Sequence, residues 1–345
     1  SKKIKSFHMI LKNKKGISDP LTETGIPDIC QKFNWNHHSP SQAAYPDGNF
    51  AYRYWFTPQD VRRQFEGNAN MAAGVAINNA IQFRLAEKIW KLNPSTKKLS
   101  PYDHTPLELD VAIQKVQEEF ARYVPVNEKD QIKFNWYRET IPSTISQLEK
   151  ACELLGVKNQ VIAENVLSLS DPRLLLPIIG RSDLEYQLKD FSSLGSHIAK
   201  PPFGLLEIKT SHDRPSRMKK DGTYSFVNAK VPTTPSRQHL LQVAFYKKCK
   251  PDHFISLVYV VKDDFKIFDK NNCGDLQDEN LENYYEQLVT IFRRRERLML
   301  RYAEQTDKDK IIKELVQDLD PQFDHNFCWS IGSLFVNDAK KLWNC

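Results

Sequence analysis

The run Phe254-Ile255-Ser256-Leu257-Val258-Tyr259-Val260-Val261 is apolar at almost every position and does not alternate as a half-exposed strand does. Its length and β-branched content read as a strand buried on both faces, which needs cover from two sides. Phe265 to Phe268 reads as its hairpin partner. The neighbouring patterns supply the cover. A helical pattern starts at Thr57-Pro58, with Thr57 as N-cap and Pro58 at the first helical position, and runs to Trp90 with a break expected near Gly67 or Gly74. Pro94 to Pro106 reads as a loop, and Leu107 to Tyr123 and Ser143 to Leu155 as amphipathic helices, the second beginning after Pro142. After Gly156 the pattern becomes extended, at Val161–Leu169, at Leu174–Tyr186 with a break near Gly180, and at Gly204–Ile208. Ser236–Cys249 and Asp278–Tyr302 return to helix, and 307–345 holds a further helix and an aromatic end. Helices leading, a small sheet in the middle and helices flanking it indicate an α/β or α+β core.

Composition excludes several classes. No apolar run approaches the ~20 residues that cross a bilayer, and the basic stretch Ser1 to Lys15 lacks the apolar core of a secretory signal. The six cysteines (Cys30, Cys152, Cys249, Cys273, Cys328 and Cys345) are scattered, with no CxxC pair. That spacing argues against a zinc ribbon or an iron–sulfur cluster and for free thiols in a reducing compartment. A net charge of +6 is compatible with nucleic acid without demanding it. Its distribution is more telling, with basic residues bunched at Arg62-Arg63, Arg214 to Lys220, Lys247 to Lys250 and Arg293 to Arg297.

The sharpest local signal is Leu205-Leu206-Glu207-Ile208-Lys209-Thr210-Ser211. On a strand, alternation puts Glu207 and Lys209 on one face and Ile208 on the other. Taken alone, that pair reads as an ordinary ion pair at an exposed strand end. Its company alters the reading. Upstream, Ile178-Ile179-Gly180-Arg181-Ser182-Asp183 carries an acid within an extended apolar segment. Downstream, Gln242 and Tyr246 stand four apart on a helix and share a face.

The order Gly-x-x-Asp, Glu-x-Lys, Gln-x-x-x-Tyr resembles the PD-(D/E)xK nuclease superfamily, in its RecB-like branch of phage and mitochondrial-type DNA exonucleases. The resemblance covers roughly Tyr54 to Tyr302, and its specific part lies in Gly180–Ser211 and Gln238–Tyr246. It implies a restriction-endonuclease-like core with a small central mixed sheet flanked by helices, plus an N-terminal helical region. The implied layout is an irregular arm over 1–50 and a nuclease domain over 51–305, with a helical wall at 57–155 and a catalytic core at 156–305. A helical extension over 306–345 follows. It further implies hydrolysis of DNA phosphodiesters with Mg²⁺ or Mn²⁺, held by Asp183, Glu207 and the backbone carbonyl of Ile208. Lys209 would orient or deprotonate the attacking water, and Gln242 and Tyr246 would hold the phosphate or support Lys209. The branch places a metal-binding His at the end of its first helix motif. Here the matching segment is Gly74-Val75-Ala76-Ile77-Asn78, and Asn78 stands where the His would be, an uncharged and poorer ligand. Glu164 is a further acid, read equally as a supporting residue near the site or as solvent-exposed.

For DNA binding, the candidates are Arg53, Arg62 and Arg63 among the aromatics Tyr52 to Phe56, together with Arg181, Arg217, Arg237 and His239. His197 and His212 read as polar surface residues, and the long 212–235 segment is expected to cover the DNA path. The partner implied is DNA, single-stranded or with free ends, alongside a recombination, repair or replication protein. The location implied is the cytoplasm of a bacterial or phage-infected cell, with the mitochondrial matrix as alternative. Two rival functions stay open: a site-specific endonuclease of the same fold, and an inactive nuclease-fold DNA-binding protein, which Asn78 keeps in play.

Overall fold

A computed structural model describes residues 26–58, 61, 68–93, 99–188, 203–324 and 333–344. Among the described residues the nine strands are β1 (Lys88–Leu92), β2 (Leu99–Asp103), β3 (Asn159–Leu169), β4 (Ile178–Gln187), β5 (Phe203–Thr210), β6 (Arg214–Met218), β7 (Tyr224–Val227), β8 (Phe254–Val261) and β9 (Asp264–Phe268). Seven of them form one mixed sheet in the order β2-β1-β3-β4-β5-β8-β9, and β6–β7 make a separate hairpin. β5 and β8 run parallel, whereas β3, β4 and β5 are antiparallel in turn. The helices are α1 (Asp28–Lys32), α2 (Asp47–Ala51), α3 (Ala69–Leu85), α4 (Leu109–Phe120), α5 (Glu128–Leu154), α6 (Arg237–Cys249), α7 (Asp278–Leu300), α8 (Lys308–Asp318) and α9 (Ser333–Leu342). The architecture is an α/β core, a mixed sheet flanked by helices. Among the described residues no helix is long and apolar enough to cross a membrane.

Alternation explains why β5 and β8 are apolar throughout. Leu206, Ile208, Val258 and Val260 face a core filled by α3, α4 and α5. Leu205, Leu257 and Tyr259 face the opposite core, under α6 and α7. Glu207 and Lys209 have the parity of Leu205, so they project towards α6. A third core joins the N-terminal segment to the end of α7 and to α8 and α9, through Phe33, Trp35, Trp55, Met299, Ile311 and Leu315. The aromatic end settles there too, with Trp343 donating to the Leu319 carbonyl at 2.7 Å.

Several elements differ from the sequence expectations, each for a local reason. The Thr57 hydroxyl donates back to the Tyr52 carbonyl and closes the turn Tyr52–Phe56, while residues 59–60 and 62–67, where the expected helix would begin, lie outside the described residues. α3 begins after Asn68, whose side chain accepts from the Met71 amide, and Trp90 lies on β1. Part of the proposed loop at 94–106 is β2, an edge strand that tolerates Pro101 because one of its sides needs no partner. α5 runs straight through Pro142. Proline removes the N–H that the Arg138 carbonyl would have received, and Gln117 Nε2 donates to that carbonyl at 3.4 Å instead. β4 is unbroken at Gly180, where a Cβ would lie 2.9 Å from the Phe245 ring.

Candidate active site

β4 and β5 pair from Gln187↔Phe203 to Leu184↔Leu206 and then part, while β5 stays paired to β8 as far as Thr210↔Val260. The parting falls at Asp183 and Glu207. The Ile208 amide, left without a carbonyl on β4, donates to Asp183 Oδ2 at 2.6 Å. The parting of the two strands therefore opens a notch in the sheet and fixes one acid against it.

Four more side chains converge there. Glu207 is 3% exposed; its Oε1 accepts from Lys209 Nζ at 2.5 Å and from Gln242 Nε2 at 2.8 Å, and its Oε2 from the Tyr246 hydroxyl at 2.7 Å. Lys209 Nζ also reaches Gln242 Oε1 at 3.1 Å, and Gln242 Nε2 lies 2.7 Å from the Tyr246 oxygen. The four-residue spacing on α6 thus delivers Gln242 and Tyr246 to the same carboxylate. From the other face, Asn78 on α3 donates its Nδ2 to Asp183 Oδ1 at 2.9 Å.

Glu164 stands across from Asp183, between the pairs Ala163↔Leu184 and Asn165↔Ser182. Its φ is +56°, a left-handed conformation that costs a non-glycine residue about 1 kcal/mol or more. Its carboxylate accepts from Gln82 Nε2 at 2.8 Å and pairs with Arg181 at 2.8 Å. Glu164, Asp183 and Glu207 all line one cavity of about 380 Å³. Residues of the N-terminal segment, His37 and Ser39 to Gln42, close its far side. No periodicity in the sequence pointed to that segment, because it holds only a single 3-10 turn, Pro40–Gln42, and an isolated bridge at His38. A second cavity of about 910 Å³ lies on the Lys209 and Asn78 side, and Ser41 and Gln242 line both.

Electrostatics set these groups apart. Desolvation, with Glu207 and Glu164 nearby, pushes the Asp183 carboxyl well above the ordinary range, although Lys209 and the Ile208 amide oppose the shift. Desolvation pulls Lys209 down, but Glu207 and Asp183 outweigh it and hold the ammonium above its usual value. Burial and the two acids push the Tyr246 phenol far up. At neutral pH Lys209 is therefore a cation and Tyr246 a neutral hydroxyl.

The site fits a hard divalent cation. Its three carboxylates share one ammonium, Lys209, and one guanidinium, Arg181, and among the described residues Asn78 Oδ1 is buried without a hydrogen-bond partner. Oxygen donors with no imidazole suit Mg²⁺ or Mn²⁺ better than softer metals. Among the described residues no group of three His, Cys, Asp or Glu side chains is gathered to enclose an ion by itself. An ion here would keep several waters, as Mg²⁺ usually does.

The residues expected to meet DNA are dispersed. Arg53 is 8% exposed, donates to the Tyr45 hydroxyl at 3.2 Å and still lines the larger cavity. Arg181 lines the smaller cavity, paired with Glu164. Arg217 is exposed on β6, and the 212–235 connection is built around the β6–β7 hairpin. Arg237 turns away to Gln287 on α7. His239 lines the larger cavity, but burial and Lys209 pull it down to about 3, so it carries no charge there at neutral pH. His212 is half-buried at the edge of the larger cavity, and burial holds it neutral, at about 4. Of Arg293 to Arg295, Arg295 is wholly buried. Arg62, Arg63 and His197 lie outside the described residues.

No family model matches the chain, and no curated protein matches it. Among solved structures the chain is similar to the crystal structure of SSO0001, at 15% identity over 52% of this chain and 83% of that one. The TM-score is 0.25, and a likeness of that degree carries no argument here.

Proposed function

We propose that this chain is a divalent-metal-dependent deoxyribonuclease of the PD-(D/E)xK kind, acting on DNA from free ends. One observation carries the reading: two antiparallel strands part where they present Asp183 and the Glu207–Lys209 face, and both acids line one open cavity. A purely structural ion pair gives no reason for that notch, for three acids around it, or for a strained Glu164.

Asp183, Glu207, the Ile208 carbonyl and, after an amide turn, Asn78 Oδ1 would hold Mg²⁺ or Mn²⁺. Bound there, the ion supplies positive charge to the phosphoryl oxygens and acidity to an attacking water. The chain's own groups do the rest. Lys209, held protonated by its two acidic neighbours, is suited to orient water and to stabilise charge on the phosphate rather than to accept a proton. Gln242 and Tyr246 are positioning residues: their hydrogen bonds fix which lone pairs of Glu207 remain free to face the cavity. No Walker-type phosphate loop occurs in the sequence, so any unwinding would come from elsewhere.

The test is digestion of end-labelled single- and double-stranded DNA with Mg²⁺, with Mn²⁺ and with chelator. Metal-dependent loss of mononucleotides from the ends is expected, abolished in Lys209→Ala. Cleavage of closed circular DNA would favour the endonuclease instead. DNA binding with no hydrolysis in either metal would leave a binding protein of the same fold, the outcome that the Asn78 position keeps open.

A further inference from the structure

The larger cavity has two unlike banks. On one, the exposed side of α3 presents Met71 and Val75, one turn apart, at 48% and 59% exposure. On the other stand Arg214 and Lys230, both exposed, and among the described residues neither has an ion-pair partner.

The second bank is built, not incidental. Asp213, 4% exposed, accepts from the Ala229 amide at 2.8 Å and from Trp136 Nε1 at 3.1 Å, and pairs with Lys262 at 2.9 Å. Trp136 in turn stacks on Phe226 of β7 with centroids 4.3 Å apart. Arg214 follows Asp213 and Lys230 follows Ala229. The clamp that closes the base of the β6–β7 hairpin therefore sets both cations on the same bank.

We infer that this cleft takes an unpaired polynucleotide strand, its phosphates on Arg214 and Lys230 and its bases against Met71 and Val75. A duplex hides its base faces in the stack and would offer an apolar bank nothing to cover. An unpaired strand offers charge on one side and apolar faces on the other, the same division as the banks. The inference rests on the nuclease reading and narrows it to a single-stranded segment, whether a free single strand or a frayed end.

The test uses fluorescence anisotropy on the full chain in chelator, with a labelled DNA oligonucleotide, its blunt duplex, and an RNA of the same sequence. The unpaired strand should bind about tenfold tighter than the duplex, in line with base faces covering part of two exposed apolar side chains. Met71→Glu with Val75→Glu should weaken single-strand binding about tenfold and leave duplex binding nearly unchanged. Arg214→Gln with Lys230→Gln should weaken it and flatten the log–log salt slope by about 1.4. RNA bound as tightly as DNA supports the cleft equally and extends it to both sugars. Equal affinity for duplex and single strand overturns the inference. So does unchanged single-strand binding by the α3 pair, in Ser as well as Glu variants that melt as the parent does. Hydrolysis is scored separately in Mg²⁺ and Mn²⁺. The binding pattern without hydrolysis removes the nuclease reading and keeps the cleft; hydrolysis with indifferent variants does the reverse.

Discussion

Asp183 is the residue at which folding and function pull apart. Desolvation and the neighbouring acids favour its protonated form, so the folded chain keeps a proton that the unfolded chain releases near pH 4. A raised carboxyl contributes stability fully below the unfolded value and loses it as pH rises through the folded value. Asp183→Asn removes the ionisation but keeps an oxygen for the Ile208 amide. In chelator, the variant should gain on the parent as pH rises towards neutral, by about 1–2 kcal/mol from urea midpoints, while hydrolysis disappears. A difference independent of pH would show that Asp183 does not carry the shift. Tyr246→Phe tests the neighbouring bond. The ring stays packed, and only the hydroxyl that donates to Glu207 is lost. Activity should fall about 10- to 100-fold, with stability down by only ~1 kcal/mol, and added Mg²⁺ should recover part of the rate. Equal rates in parent and variant at limiting metal would remove Tyr246 from the site.

At the scale of elements, the decisive contact is α3 on β5. A Cβ on Gly74 would come 2.9 Å from Thr210 Oγ1, so a larger residue there must displace that hydroxyl or push back the helix that brings Asn78 to Asp183. Gly74→Val should force the two apart, costing about 1–3 kcal/mol in thermal stability and lowering metal affinity. Activity at saturating metal should suffer less than activity at low metal. A variant with unaltered metal titration would break the link between that contact and the site. The chemistry of these elements was legible in sequence because strand and helix periods place residues on faces without further help. Glu207 and Lys209 needed only the two-residue period, and Gln242 and Tyr246 only the helical one. What could not be read was anything fixed by tertiary contact. The positive φ of Glu164, the helix carried past Pro142, and the edge strand Leu99–Asp103 depend on neighbours distant in the chain. The neutrality of His239 is of the same kind, set by burial and by Lys209 on another element.

Across the whole molecule, the candidate cleft has a wall that belongs to neither the sheet nor its flanking helices. Residues 26–58 wrap back so that Ser41, Tyr45 and Arg53 border the larger cavity, with His38 bridged to Ile178 beside β4. Two consecutive residues of α7 hold this wall. Arg295 donates to Asp47 at 3.0 Å and to the carbonyls of Gln42 and Tyr45 at 3.1 and 2.8 Å. Glu296 accepts from His38 at 2.8 Å and from the amides of Leu175 and Leu176, each at 2.9 Å. Within that anchorage, the buried arginine satisfies carbonyls that water cannot reach. Arg295→Met keeps the volume and removes every donor. Arg294, 2.6 Å from Asp47 Oδ2, still covers that acid, but the carbonyls are left unpaired. The cost should be about 3 kcal/mol, and it should fall on one region, with amide exchange accelerating over residues 38–53 before β5 and β8 respond. Because Asp183, Glu207 and Lys209 rest on the sheet, turnover at saturating DNA should persist while KM for DNA rises. If turnover collapsed while KM and exchange over 38–53 held steady, the segment would be no wall of the cleft, and α7 would act on the sheet itself.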